Sequence, residues 1–188
     1  MARTFTNVVG FDDAPFSRDC RGDVAIFGVV CSRTRLDGLV TGPVRRDGVN
    51  ATARIVELVS ESRFREHVQA VLLDGIALAG FNVVDIHQVH RALGVPVLVV
   101  TRRPPDLAKI REALCTRVRG GARKWRRIER AGPPEALRGL FVQRAGLDLQ
   151  EAAGLIDATT LQGKLPEPLR LAHIIASGVT EGRSRGGA

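Results

Sequence analysis

The order of apolar segments predicts an α/β protein built on a mixed sheet. Three observations lead there. Val71-Leu72-Leu73 is a continuous apolar run that stops at Asp74-Gly75, as a strand buried on both faces does. A second apolar run, Pro96–Arg103 (PVLVVTRR), follows a helical pattern that ends at Gly94. Ahead of both lies a β-branched-rich stretch interrupted by turn residues, which is the pattern of an antiparallel meander. In an open α/β sheet, ligands and catalytic groups collect at the carboxyl ends of parallel strands. Asp74 is therefore a candidate site residue, although Asp before Gly is also a common turn pairing.

Taken in order, Thr6–Asp12 reads as a strand that runs into two adjacent acids, Asp12 and Asp13. Alternation along a strand points these two side chains to opposite faces, and Ala14-Pro15 then stops regular pairing. Asp23–Arg35 is the next strand, Leu36-Asp37-Gly38 a hairpin turn, and Leu39–Arg45 the return strand, with Pro43 placing it near an edge. Asp47–Asn50 leads into a helix capped by Asn50 or Thr52, with Ile55, Leu58 and Val59 at helical spacing. Gln69–Asp74 is the central strand. FNVVDIHQVHRALG (Phe81–Gly94) is read as a second helix, on which His87 and His90 share a face without a third ligand. Pro104-Pro105-Asp106 caps a third helix, Leu107–Arg117. Leu140–Ala145 is a further strand, and Leu149–Leu161 and Leu171–Ser177 are helical in pattern. One domain over residues 1–180 is expected, with 181–188 as a flexible Gly/Ser/Arg-rich tail.

A chain of 188 residues with 44% hydrophobic and 26% charged residues is ordinary for a soluble globular domain. Cys20, Cys31 and Cys115 show no metal-ligand spacing, and an odd cysteine count suits a reducing cytoplasm. No apolar stretch approaches the ~18 residues that suggest a membrane span. Tyrosine is absent and aromatics are 4%, which argues against an aromatic base-stacking platform. The net charge of +8 and pI near 10.8 favour an anionic partner, nucleic acid first. That charge is concentrated in Arg102–Arg130, where Arg102, Arg103, Arg123, Lys124, Arg126 and Arg127 are expected to contact phosphates. Trp125 sits inside this segment, as an anchor or a stacking residue.

Strand meander, helix, strand, helix, strand is the element order of a ribonuclease H-like domain. Four segments resemble a particular family with it: GFDDAPF (Gly10–Phe16), LLDGIALAGFNVVD (Leu72–Asp85), GVPVLVVTRR (Gly94–Arg103) and LPEPLRLAH (Leu165–His173). That family is mainly archaeal, number 99 among the domains of unknown function, and related to endonuclease V. The resemblance covers essentially the whole chain, and GFNVVDI is its most specific part. Gly10-Phe11-Asp12, Asp74-Gly75, Gly94-Val95-Pro96 and Leu165–His173 also look like four segments of endonuclease V itself. The resemblance implies a three-layer ribonuclease H-like fold: a mixed five-stranded sheet in the order 3-2-1-4-5, flanked by helices.

By the same resemblance, Asp12 and Asp74 stand where endonuclease V holds its catalytic metals. Mg2+ (or Mn2+) is the expected cofactor, because hard cations take carboxylate oxygens and substrate phosphate. Asp13 or Asp47 would complete a second metal position. The third carboxylate of endonuclease V, in an F-R-E run, has no counterpart; Asp47–Thr52 occupies that place, and relatives tend to carry Asp where this chain has Asn50. The P-Y-I-P-G wedge and the glycine-histidine-arginine of endonuclease V are not matched either, so the resemblance does not carry deoxyinosine specificity. Two function classes follow: a metal-dependent nuclease acting on DNA or RNA, and a non-catalytic nucleic-acid-binding or scaffold protein that keeps the fold. They differ in whether Asp12, Asp74 and a third carboxylate come within one metal's reach.

Overall fold

The computed structural model describes residues 3–184. Its centre is a seven-stranded sheet made of β1 (Asn7–Asp13), β2 (Asp23–Ser32), β3 (Arg35–Arg45), β4 (Ala70–Asp74), β7 (Val97–Thr101), β8 (Glu135–Leu137) and β9 (Leu140–Ala145). The spatial order is β3-β2-β1-β4-β7-β9-β8. β1, β4 and β7 are parallel neighbours, and β2 and β3 extend the sheet antiparallel on one side. The expected 3-2-1-4-5 order is this core. β9 and the short β8 lengthen the sheet antiparallel beyond β7. A two-stranded hairpin, β5 (Ala77–Leu78) and β6 (Asn82–Val83), projects after β4.

Strand alternation divides the core into two layers. Val9, Phe11, Val71, Leu73, Val97 and Val99 pack with Ile55 and Val59 of α1 (Ala51–Ser60) and with Ile86 and Val89 of α2 (Ile86–Leu93). The alternate residues Val8, Ala70, Leu72, Leu98 and Val100 pack with Leu155 and Ile156 of α5 (Leu149–Thr159) and with Leu169 of α6 (Glu167–Glu181). With both faces covered, β1, β4 and β7 read as unbroken apolar runs. α3 (Leu107–Arg117) and α4 (Gly121–Ala131) close a smaller cluster of Val83, Leu114 and Ile128.

Two local expectations are corrected. The β2–β3 turn falls at Arg33-Thr34, not at Leu36-Asp37-Gly38, which lies within β3. Gly38 is needed for space: a Cβ there would lie 2.1 Å from the Phe64 ring. A bulge between Val30 and Cys31 sets the register, and Arg33 takes the positive φ of 55°. Phe81–Asp85 is not helical. Asn82 and Val83 form β6, and the helix begins only after Asp85, whose carboxylate accepts from the Gln88 N–H as an N-cap. At the other end, α6 runs through Glu181; of the expected tail, residues 185–188 lie outside the described residues.

Candidate active site

β1 and β4 pair in parallel with Phe11 beside Leu73. The residues that follow, Asp12 and Asp74, therefore emerge side by side at the carboxyl ends of the two central strands. Asp12 shares a face with Gly10, and α6 rests on that glycine. A Cβ at Gly10 would lie 2.6 Å from the carbonyl carbon of Pro168, so only glycine admits the helix this close. Further along α6, His173 places Nδ1 2.9 Å from Asp12 Oδ2. One ligand atom each of Asp12, Asp74 and His173 lie within 4.8 Å of one another.

The LPEPLRLAH segment is built to hold this position. Glu167 is buried in the first turn of α6, where the helix dipole favours a carboxylate. It accepts two hydrogen bonds from Arg170, both of 2.8 Å. Ala172 packs under β2 against Val29 and Cys31. Fixing these residues fixes the imidazole at the end of the segment. His173 is the site residue that sequence reasoning misses: it closes the LPEPLRLAH motif, and the motif alone gives it no role.

Burial and the facing Asp74 push the Asp12 carboxyl up to about 7, and the His173 hydrogen bond acts the other way. Asp74 is likewise raised by burial, with Arg102 and then His173 acting the other way. A buried acid, Asp12, and a half-buried one, Asp74, face each other beside an imidazole, an arrangement that a cation would relieve. Two carboxylates suit Mg2+ or Mn2+, and the imidazole suits Mn2+ better. Donors on one Mg2+ at ~2.1 Å lie at most ~4.2 Å apart. The three ligand atoms, within 4.8 Å of one another, lie near that limit, and two carboxylates with an imidazole are chemically suited to a hard divalent cation.

The other face of β1 is arranged differently. Asp13 Oδ2 accepts from the Ala79 N–H at 2.5 Å, and Asp47 Oδ1 accepts from the Phe81 N–H at 2.8 Å. The Asp47 N–H in turn donates to the Ala79 carbonyl at 2.9 Å. Both acids thus grip the Ala79-Gly80-Phe81 turn of the β5–β6 hairpin. Asn82 continues the anchoring: fully buried, it accepts from the Ala51 N–H and donates to the Arg45 carbonyl and to Asn50 Oδ1. GFNVVDI is in this way a structural latch. The structure brings Asp12 and Asp74 together and adds His173, while Asp13 and Asp47 lie outside that group among the described residues.

The basic segment also divides. Arg102 and Arg103 are exposed just after β7, with Arg102 close enough to Asp74 to draw its carboxyl down. Arg123 and Arg126 are exposed on α4, and they line a 300 Å3 cleft with Asp85, Arg127 and Arg130. Arg127 donates to the Val83 carbonyl at 2.8 Å, and Arg130 pairs with Asp85. Lys124 requires correction as a phosphate contact. It is 1% exposed, and its ammonium donates to the Asp47 carbonyl. It is a buried strut between α4 and the loop before α1. Trp125 is half-buried against the α3–α4 cluster with Arg111 over its ring, which makes it an anchor. His87 and His90 are hydrogen-bonded to the carbonyls of Arg130 and Val95.

A 3-2-1-4-5 core with paired acids at the ends of its central parallel strands is the ribonuclease H-like fold of endonuclease V. The Ciona intestinalis endonuclease V, solved with a 24mer DNA containing an inosine followed by a ribo-adenosine, superposes with a TM-score of 0.59. It is 15% identical, over 89% of this chain and 83% of that one. The family follows from the sequence: the chain belongs to the endonuclease dU family, whose profile matches residues 4–180. A UPF0215 protein of Deinococcus radiodurans is 56% identical over 181 residues, 96% of this chain and 92% of its own. A crystal structure of a protein of unknown function from Archaeoglobus fulgidus reaches a TM-score of 0.86 at 32% identity, covering 92% of this chain and 97% of that one.

Proposed function

We propose that this protein is a divalent-metal-dependent endonuclease that hydrolyses a phosphodiester bond in DNA at or near a deoxyuridine. The observation that carries the reading is the convergence of Asp12, Asp74 and His173 at the carboxyl ends of β1 and β4. The family's description as endonuclease dU supports the deoxyuridine preference. The DNA complex of a fold neighbour supports a nucleic-acid substrate.

In this reading Asp12, Asp74 and His173 hold the metal. Bound Mg2+ or Mn2+ supplies charge neutralisation at the phosphorus and activation of a water molecule. With no ion bound, an ionised Asp12 can only accept, so the shared proton sits on His173 Nδ1; coordination through that nitrogen would exchange this hydrogen bond for the metal. This hydrogen bond holds the Asp12 carboxylate in one orientation. Arg102, beside Asp74, meets the substrate phosphate. Arg103, Arg123, Arg126 and Arg127 hold the backbone farther out, through contacts that carry no sequence information. The latched 79–81 turn supports the site from the opposite face of β1. Among the described residues, no helix is long and apolar enough to cross a membrane. Three free cysteines suit a reducing compartment, and we place the protein in the cytoplasm.

A binding-only protein is the second reading. The group around Asp12 and Asp74 contains an imidazole in place of a third carboxylate, and that favours it. The test is a cleavage screen on end-labelled DNA and RNA carrying deoxyuridine, deoxyinosine or neither, with Mg2+, with Mn2+ and with chelator. Metal-dependent cleavage of the deoxyuridine DNA, absent from the unmodified strand, is the expected result. Binding without cleavage under every metal condition would select the second reading.

A further inference from the structure

Beside the carboxylate pair lies a second cleft, of 270 Å3, lined by Arg102, Gly139, Leu140, Gln162, Gly163, Lys164, Leu165 and Arg170. We infer that this cleft is a subsite for one backbone phosphate of the substrate strand, flanking the bond to be cut, with Lys164 as its principal contact. The inference deepens the nuclease reading and rests on it.

Continuity with the site is the first argument. Arg102 borders the cleft and also acts electrostatically on Asp74. Arg170 borders it from α6, and His173 is three residues further on, so the two share one helix face. A strand whose phosphate lies against Asp12, Asp74 and Arg102 therefore continues directly into the cleft.

Charge is the second argument. No acidic residue lines the cleft. The Arg170 guanidinium is held by Glu167 and serves as a wall. Lys164 is exposed and makes no ion pair among the described residues. Its flexible ammonium is a point charge suited to a single phosphate oxygen.

The backbone supplies the third argument. Arg138 and Gly139 both take positive φ, 53° and 73°, in the tight turn between β8 and β9. Arg138 is pinned outward by a bidentate pair with Asp157. Gly139 leaves room for Lys164: a Cβ there would lie 2.9 Å from its Nζ. Gly163, with a φ of 71°, bends the loop that carries Gln162 and Lys164 into the cleft. The lysine ammonium and the Gln162 amide are donors suited to an anion, and the buried Leu140 and Leu165 give the cleft an apolar floor for the sugar beside it.

The test is a walk of single methylphosphonate linkages, each neutralising one phosphate, along a deoxyuridine-containing single strand. Binding is measured by fluorescence anisotropy in chelator, so that cleavage is not needed for the readout. In the wild type, neutralising the phosphate that occupies the cleft weakens binding roughly tenfold. In Lys164→Ala the same linkage costs nothing further, while every other position keeps its wild-type penalty. The salt slope of Lys164→Ala on single-stranded DNA should fall by about 0.7, one phosphate contact. An unchanged thermal melt confirms that this exposed loop substitution leaves the fold intact. Equal penalties at every position in both proteins, or an unchanged salt slope, overturn the subsite even where the strand is cut. A strand bound with the predicted pattern but never cut sustains the subsite and overturns the nuclease reading. Absence of DNA binding overturns both.

Discussion

Asp12 and Asp13 are neighbours in sequence, identical in chemistry and opposite in placement. Asp12 faces α6, where it meets the half-buried Asp74 and the imidazole of His173. Asp13 faces the β5–β6 hairpin, where a backbone N–H satisfies it. Asp74 and Asp47 repeat the contrast: the first completes the converging group, and the second closes the turn that Asp13 holds. Asp12 Oδ1 also accepts a backbone N–H, that of Asp13 at 2.8 Å, so what distinguishes Asp12 is its other oxygen, which meets the imidazole and the facing acid. A carboxylate that faces another carboxylate is poised for a cation.

The largest expected effect separates these two pairs. Asp12→Asn and Asp74→Asn should each lower cleavage about a thousandfold or more, because each removes part of several kcal/mol of metal-borne charge stabilisation. DNA binding in chelator should stay within about twofold, since the phosphate contacts lie elsewhere. Asp13→Asn preserves an acceptor for the Ala79 N–H and should retain most activity. Full cleavage by the Asp12 and Asp74 variants would erase the contrast.

Next in size is packing. Gly10→Ala places a methyl group against Pro168 and should cost roughly 1–3 kcal/mol of stability by overpacking. It should also reduce cleavage by displacing His173 from Asp12. A melt and a rate unchanged from wild type would mean that α6 can move aside freely, and that the close approach does not fix the site.

The pH dependence sharpens the comparison in a similar range. The Asp12 carboxyl sits at about 7 in the fold against an ordinary 3.8, so the folded state holds more protons between those values. Without metal, stability should therefore fall as pH rises from ~4 to ~7 and level off above. The loss is at most a few kcal/mol, because one proton held over one pH interval is worth ~1.4 kcal/mol. Asp74 moves in the same direction. Asp12→Asn should remove much of this slope and melt higher than wild type at pH 8. Saturating Mn2+ should also remove it, because the cation favours the ionised acids. Coincident wild-type and Asp12→Asn melting curves across this range, in chelator, would show that neither burial nor the facing Asp74 raises the Asp12 carboxyl.

The smallest effect concerns the cations. Arg123→Ala with Arg126→Ala should flatten the salt dependence of duplex binding, by about 0.9 per lost phosphate contact, without altering the melt. Lys124→Met should do the reverse, lowering the melting temperature while leaving the salt slope alone. A flattened slope in Lys124→Met would return this buried lysine to the nucleic-acid surface.

Much of this architecture is legible in the sequence. Asp12 and Asp74 can be read because each ends an apolar run buried on both faces, and the meander-helix-strand order yields the sheet core. His173 is illegible as a member of the converging group because its partner is 161 residues away and a histidine on a helix carries no sign of what it meets. Lys124 lies in a basic run, and only the fold shows that its neighbours face solvent while it faces a carbonyl. Gly38 imitates a turn because glycine serves turns and close packing alike. Phe81–Asp85 reads as helix because a short apolar run fits either period, and the burial of Asn82 decides for the hairpin.

Isothermal titration of Mn2+ at pH 8 into wild type, Asp74→Asn and Asp13→Asn tests most directly whether Asp12, Asp74 and His173 form a cation site. Wild type and Asp13→Asn should bind with similar affinity, and Asp74→Asn should lose at least about tenfold. Equal affinity in all three proteins, or none in the wild type, would contradict the account.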